Sequence, residues 1–230
     1  MLSGVWAVLV AAGRGERLGE DRPKAFARLG ELPLLAEPLR RLDESEWIEA
    51  IVLVAPPGWE EPAILLAEEI GASKVSACVP GGETRSESVR AGLAEVPDDA
   101  AVVLVHDAAR PILPAEVVPR LLEALGEGFD GAVPGLPVAD TVKRVRDDVV
   151  VETLTRDELV TVQTPQAFVA SVLRAAAAGE GSDCASLVEA AGGRVKVVEG
   201  DERLLKVTTP ADLDRVAAWL EPSSAAPDDR

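Results

Sequence analysis

Asparagine and tyrosine are absent from this 230-residue chain, and methionine and histidine each occur once. The lone His106 leaves no histidine-based metal cluster, and Cys78 and Cys184 make neither a disulfide framework nor a metal motif at their spacing. Asparagine, glutamine and methionine are thermolabile. Their scarcity fits either heat adaptation or a codon bias toward Ala, Gly, Arg and Pro. Positive charge is scarce too: 23 Lys and Arg stand against 40 Asp and Glu, a net charge of −17. Nucleic-acid backbones and anionic membranes attract basic faces, so neither is an expected partner. No apolar run is long enough to span a bilayer. Met1–Ala12 lacks the basic start and cleavage pattern of a secretory signal, so a cytoplasmic location is expected.

What is present is a composition that folds, 47% hydrophobic and 27% charged, at a length that suits one or two domains. Short β-branched runs alternate with helical patterns, as in a mostly parallel α/β sheet. The patterns predict strands at Val5–Val10, Ala50–Ala55, Lys74–Cys78, Ala101–His106 and Gly131–Pro134. They predict helices over Leu34–Leu42, Pro62–Ile70, Arg85–Glu95 and Pro114–Leu125. After Pro137 the alternation breaks. Val142–Arg146 and Val149–Thr153 flank Asp147 and Asp148 as a hairpin, which predicts a β-arm over about 137–156. Helices follow at Phe168–Ala178 and Asp183–Ala191, then a strand at Arg194–Glu199, a short segment at Leu205–Val207 and a final helix at Pro210–Leu220. The Pro/Ser/Ala-rich stretch 221–230 reads as a disordered tail, leaving a single domain over 1–220.

The loop after the first strand, Ala11-Ala12-Gly13-Arg14-Gly15-Glu16-Arg17-Leu18-Gly19, leads to Pro23-Lys24. Gly13 and Gly15 let backbone N–H groups approach phosphate oxygens without an intervening Cβ. The third glycine comes one residue too late for a dinucleotide fingerprint, and no Gly-Lys-Ser/Thr of a P-loop follows. Over Ala11–Arg28 five positive residues face three negative ones, a local surplus inside a strongly acidic chain and suited to a triphosphate. His106-Asp107-Ala108-Ala109-Arg110-Pro111 closes the fourth predicted strand, at the end where open α/β sheets bind ligands. There an aspartate can hold Mg²⁺ or serve a turn, and an arginine can take a phosphate bidentately. His106 is better read as a structural imidazole than as a catalytic one. Ser86, Ser88 and Gly81-Gly82 serve equally as polar contacts to a base or as a helix cap.

AAGRGERLG…PK, GGETRSESV, VLVHDAARP, PVADTVKR, QTPQAF, SDCAS and LKVTTPADL occur in one order along nearly the whole chain. In this the sequence resembles the 2-C-methyl-D-erythritol 4-phosphate cytidylyltransferases. The glycine/arginine loop alone is common to many nucleotidyltransferases. HDAARP together with the GGxxRxxSV pattern narrows the resemblance to the pentitol- and erythritol-phosphate cytidylyltransferases. It implies a Rossmann-like, mostly parallel α/β sheet of the nucleotidyltransferase type with a protruding β-arm. It also implies CTP and a sugar-alcohol phosphate as substrates, Mg²⁺ or another divalent cation, and a homodimer that exchanges its arms.

By position, the resemblance implies that Arg17 and Lys24 grip the triphosphate and stabilise the transition state. Ala11, Ala12, Gly81, Gly82, Glu83 and Ser88 would surround the cytosine, and Asp107 would hold the metal. Arg110 would bind the alcohol phosphate, Thr141 and Arg156 would reach across from the arm, and Thr164, Ser182 and Lys206 would complete the pocket. The chain departs from the family pattern at Cys184, where a carboxylate is usual, at Leu204, often Asn, and at Glu83, commonly Asp. Ribitol 5-phosphate is the alternative substrate. An NAD-dependent oxidoreductase is disfavoured by the glycine spacing, and a silent nucleotide sensor by the presence of both Arg17 and Lys24.

Overall fold

The computed structural model describes residues 4–13, 22–179 and 181–221. Strand β1 (Val5–Val10) lies between β4 (Ala50–Ala55) and β6 (Val102–Asp107), with β5 (Val75–Pro80) beyond β4, all four parallel. Every residue of β4 and β6 is buried, as expected of parallel strands covered on both faces. Beyond β6 the sheet turns mixed. β11 (Gln166–Val169) runs antiparallel to β6 and to β7 (Gly131–Pro137), and β7 also pairs with β10 (Val160–Val162) and β12 (Val195–Glu199). The Rossmann-like α/β expectation holds.

The period of two in β1 supplies two cores. Ala7 and Leu9 point into one, with Leu39 and Leu42 of α1 (Ala36–Glu44), Leu66 of α2 (Glu60–Glu69) and Leu121 of α4 (Val117–Gly126). Val8 points into the other, with Leu93 of α3 (Arg85–Ala94), Leu173 of α5 (Ala170–Ala176) and Val188 of α6 (Cys184–Ala190). A smaller cluster of Leu29, Leu34, Ile112, Val207 and Val216 seats α7 (Pro210–Leu220) beside the site, and α7 opens on a Thr209/Asp212 capping box with proline in the first turn.

Several elements differ from the sequence reading in bounds or in kind. The helix predicted from Phe168 begins at Ala170, because Phe168 is fully buried in β11, opposite Val103 and Gly131. The third strand runs on to Pro80, and the fourth includes Asp107. The short ladder of β2 (Arg28–Leu29) with β3 (Leu32–Pro33), and β10 itself, had no signal strong enough to read. The hairpin of β8 (Lys143–Arg146) and β9 (Val149–Thr153) matches expectation. Asp147 and Asp148 both have positive φ, the geometry of a two-residue primed turn. All nine residues of the two strands are exposed. Apart from Glu221, the expected disordered tail lies outside the described residues.

Candidate active site

The chain goes from β1 to β4 on one side and returns to β6 on the other, so the strand order reverses between β1 and β6. Val10 and Asp107, the last residues of those two strands, are register partners. The turns leaving β1, β5 and β6 wall a cavity of about 480 Å³ that also takes in Lys24, Leu34, Lys206 and Thr208.

The β1 turn supplies Ala11, Ala12 and Gly13 to the wall. Ala11 N–H donates to the Val54 carbonyl at 2.8 Å and Gly81 N–H to the Ala55 carbonyl at 2.8 Å, tying both turns to β4. A Cβ on Gly81 would stand 2.2 Å from the Cβ of Ala12, so only glycine permits this approach. Gly81 itself lies just behind the wall, while Gly82, Glu83 and Ser88 line it. Ser88 Oγ accepts from Gly82 N–H at 3.1 Å and donates to the Thr84 carbonyl at 3.0 Å, while Thr84 and Glu87 cap α3 reciprocally. Ser88 thus shapes the turn and lines the cavity, while the helix cap is Thr84.

Lys24 opens a short 3₁₀ turn, Lys24–Phe26, whose buried Phe26 packs 4.6 Å from the ring of Trp59. This anchor brings Lys24 to the cavity. Its expected companion Arg17, like Gly15, lies outside the described residues.

Asp107 lies at the cavity floor between two cations. Arg85 Nε donates to Oδ1 at 2.9 Å and Lys206 Nζ to Oδ2 at 2.8 Å. Burial would push this carboxyl up, but the charges of Arg85 and Lys206 reverse that and hold it well below the usual range. Behind it the Asp107 N–H donates to Thr164 Oγ1 at 3.0 Å, and Thr164 meets His106 Nδ1 at 3.1 Å. His106 Nε2 faces the Arg110 carbonyl at 3.0 Å, which only accepts, so Nε2 carries the proton and Thr164 O–H donates to Nδ1. Burial pulls the His106 pKa down to about 4, so the imidazole is neutral and structural, as the sequence reading preferred. Thr164 is accordingly a buried support of Asp107 and not part of the cavity wall.

Four expected site residues stand elsewhere. The Arg110 guanidinium donates to the carbonyls of Leu204 and Val162, with Nε buried and unpartnered, and it does not line the cavity. The Leu204 side chain is wholly buried, and it is its backbone carbonyl that holds Arg110. Arg156 donates to the Ala139 carbonyl at the base of the arm, and neither it nor Thr141 lines the cavity of its own chain. Ser182 is exposed ahead of α6, outside the wall.

Arg85 and Thr208 line the cavity and were not singled out from sequence. For Arg85 a signal existed: it occupies the first position of α3, where the helix dipole disfavours a cation. Among the described residues no three His, Cys, Asp or Glu side chains gather as a metal cage. A single carboxylate beside nucleotide phosphates is a usual Mg²⁺ donor set, and Asp107 fits it.

The 2-C-methyl-D-erythritol 4-phosphate cytidylyltransferase family model matches residues 5–222. The protein of that name from Streptomyces coelicolor is 43% identical over 226 residues, covering 93% of this chain and 84% of the relative. The one from Saccharopolyspora erythraea is 46% identical over 223 residues, covering 94% of this chain and 99% of the relative. A crystal structure of a 4-diphosphocytidyl-2C-methyl-D-erythritol synthase superposes with a TM-score of 0.81 at 33% identity, covering 94% of this chain and 98% of that one. The 2-C-methyl-D-erythritol 4-phosphate cytidylyltransferase of Thermus thermophilus gives 0.74 at 34% identity, with 92% and 96% covered.

Proposed function

The chain belongs to the 2-C-methyl-D-erythritol 4-phosphate cytidylyltransferase family, and from that premise we propose how its own residues carry the reaction. The enzyme transfers a cytidylyl group from CTP to 2-C-methyl-D-erythritol 4-phosphate, giving 4-diphosphocytidyl-2-C-methyl-D-erythritol and pyrophosphate, in isoprenoid biosynthesis. The observation that carries the assignment of residues is the cation-rich cavity at the strand-order reversal, lined by Lys24, Arg85 and Lys206 together with Asp107, the one buried carboxylate among the described residues.

A phosphate monoester is already anionic at neutral pH, so attack on the α-phosphorus needs no general base. Positioning and charge neutralisation carry the barrier. Lys24 and Arg17 meet the charge that develops on the α-phosphoryl oxygens and the departing pyrophosphate. The turns at Ala11–Gly13 and Gly81–Ser88 receive the base, and the carbonyls of Ala11 and Gly81 accept from the cytosine amine, since both N–H groups are spent on β4. Lys206 turns from Asp107 to the alcohol phosphate. A divalent cation, held by Asp107 and the nucleotide phosphates, would neutralise the triphosphate and polarise the α-phosphoryl group.

The working unit is a homodimer that shares its arms, and the site is used in the cytoplasm. Supporting the dimer are the exposed valines of the arm, Val145, Val149, Val150 and Val151, and Val160 and Val162 of β10; a lone hairpin with apolar side chains on both faces has no core of its own to bury them. Arg156 and Thr141 lie outside the cavity of their own chain and enter the partner's, with Arg156 and Arg110 gripping the alcohol phosphate there once substrate displaces their carbonyl partners.

Pyrophosphate release with each nucleoside triphosphate tests this reading. A site whose acceptors are built for an amine leaves them unpaired against UTP, so CTP should be preferred by a factor on the order of 10⁴. Comparable turnover with UTP would defeat the placement of the base. Ribitol 5-phosphate in place of the erythritol phosphate should support little turnover.

A further inference from the structure

Asp107 has two counter-ions of unequal freedom. The Lys206 side chain is 43% exposed and its ammonium is held at Oδ2 alone among the described residues, whereas the Arg85 side chain is 26% exposed and tethered at both ends. Arg85 Nε holds Oδ1, its Nη1 donates to the sulfur of Cys184 at 3.7 Å, and its Nη2 is buried without a partner. Cys184 is itself buried, and burial pushes its thiol up to about 11, so at neutral pH it offers only a weak acceptor. Arg85 also opens α3, where the helix dipole opposes a cation. Folding gains little from a buried guanidinium with one weak acceptor, one orphaned N–H and an unfavourable dipole. Its one strong contact among the described residues is the Asp107 carboxylate.

The remaining neighbours of Asp107 cannot replace it in that contact. His106 is bonded through both ring nitrogens, to Thr164 and to the Arg110 carbonyl, and the Arg110 guanidinium is directed at the carbonyls of Leu204 and Val162 and not at Asp107. Lys24 reaches the cavity from another wall, on the 3₁₀ turn after Pro23.

We propose that Arg85 is a positioning residue, the fixed counter-ion that keeps the Asp107 carboxylate in place while Lys206 leaves it for a substrate phosphate. With Arg85 gone, Lys206 becomes the sole cation bonded to Asp107 among the described residues and is retained there instead of meeting the incoming phosphate. The proposal rests on the reading of Asp107 and Lys206 as site residues, and the cost of losing Arg85 passes through Asp107.

A double-mutant cycle tests it. Steady-state constants are measured for Arg85→Gln, Asp107→Asn and the double variant, with thermal unfolding of each as a fold control. Arg85→Gln should raise KM for the alcohol phosphate about tenfold or more while KM for CTP moves little, and in the Asp107→Asn background it should add less than about twofold. Arg85→Lys should recover most of the loss. If Arg85→Gln does not fold, the same cycle runs on Arg85→Met, which also removes the charge and keeps the length of the side chain. Equal losses with and without Asp107 would overturn the proposal, because Arg85 would then act on substrate or fold directly. Asp107→Asn indistinguishable from wild type would instead overturn the underlying reading of Asp107, a separate and recognisable failure.

Discussion

The backbone of Gly81 and the side chain of Ala12 approach so closely that a Cβ on Gly81 would lie 2.2 Å from the Ala12 Cβ and 2.8 Å from Ser88 Oγ. Two turns from strands on either side of β4 thus touch through a missing side chain. Gly81→Ala must push them apart, against two hydrogen bonds that tie them to β4. Overpacking of this kind costs about 1–3 kcal/mol, so the melting temperature should fall and KM for CTP should rise. Gly13→Ala is the contrast. Nothing among the described residues lies within 4 Å of its added Cβ, so stability should hold while any loss appears in CTP binding alone. Equal melting temperatures for the Gly81 variant and wild type would show that the turns yield freely.

Lys24 is carried by a turn whose neighbours Ala25 and Phe26 are buried, so Lys24→Ala removes a charge without removing the anchor. If the lysine meets charge that develops only in the transition state, kcat should fall roughly a hundred- to thousandfold with KM for CTP little changed. Arg17→Ala should behave alike. A variant that raises KM and leaves kcat intact would assign Lys24 to ground-state binding instead.

His106 gives a pH prediction with a definite sign. Its folded pKa is about 4 against about 6.5 for a free imidazole, so on acidification the unfolded chain takes up the proton first. The resulting stability is fully present above about pH 6.5 and is lost as pH falls toward 4, a difference of about 3 kcal/mol. The depressed carboxyl of Asp107 acts in the same direction but at lower pH, below the range of an ordinary carboxylate. Urea unfolding of wild type and His106→Asn at pH 7 and pH 4.5 checks this: wild type should lose the larger share. As the chain has one histidine, its ring resonance reports the pKa directly, and titration near 6.5 in the folded protein would refute the prediction.

The parts legible in sequence share one property, that their pattern is local. Ala50–Ala55 is buried on both faces and reads as an unbroken apolar run. The arm reads as two short runs around Asp147-Asp148, and the structure keeps those boundaries to within one residue, the first strand starting at Lys143 and not at Val142. Phe168 misled because four strand residues abut a helix, and only pairing with Val103, far away in the chain, decides its conformation. The site follows the same rule. Glycine turns and strand ends placed Ala11–Gly13, Gly82 and Asp107, because close approach and strand polarity are written nearby. The tie of Arg85 to Asp107 spans 22 residues and the tie of Lys206 spans 99, so no local pattern announces either. Arg110 shows the converse limit: a motif locates the residue but not the direction of its guanidinium.

The last prediction concerns the arm. An exposed two-stranded hairpin is poorly stable alone, and this one carries Val145, Val149, Val150 and Val151, each more than half exposed. Packing against a twofold-related copy would cover them, with the same patch used on both chains. Arg156, beside the arm base at Ala139, would then serve the partner's pocket while Arg17 serves its own. Mixing Arg17→Ala with Arg156→Ala under conditions that exchange subunits separates the two arrangements. In trans, each mixed dimer holds one pocket with both arginines and one with neither. Random exchange makes half of the dimers mixed, so about a quarter of all pockets should become active. In cis, every pocket still lacks one arginine and mixing restores nothing. Val149→Asp supplies an independent check, since a charge among these valines should shift the dimer toward monomer in sedimentation and lower activity at dilute enzyme concentration. A wild-type monomer at assay concentration would end the idea before any mixing is done.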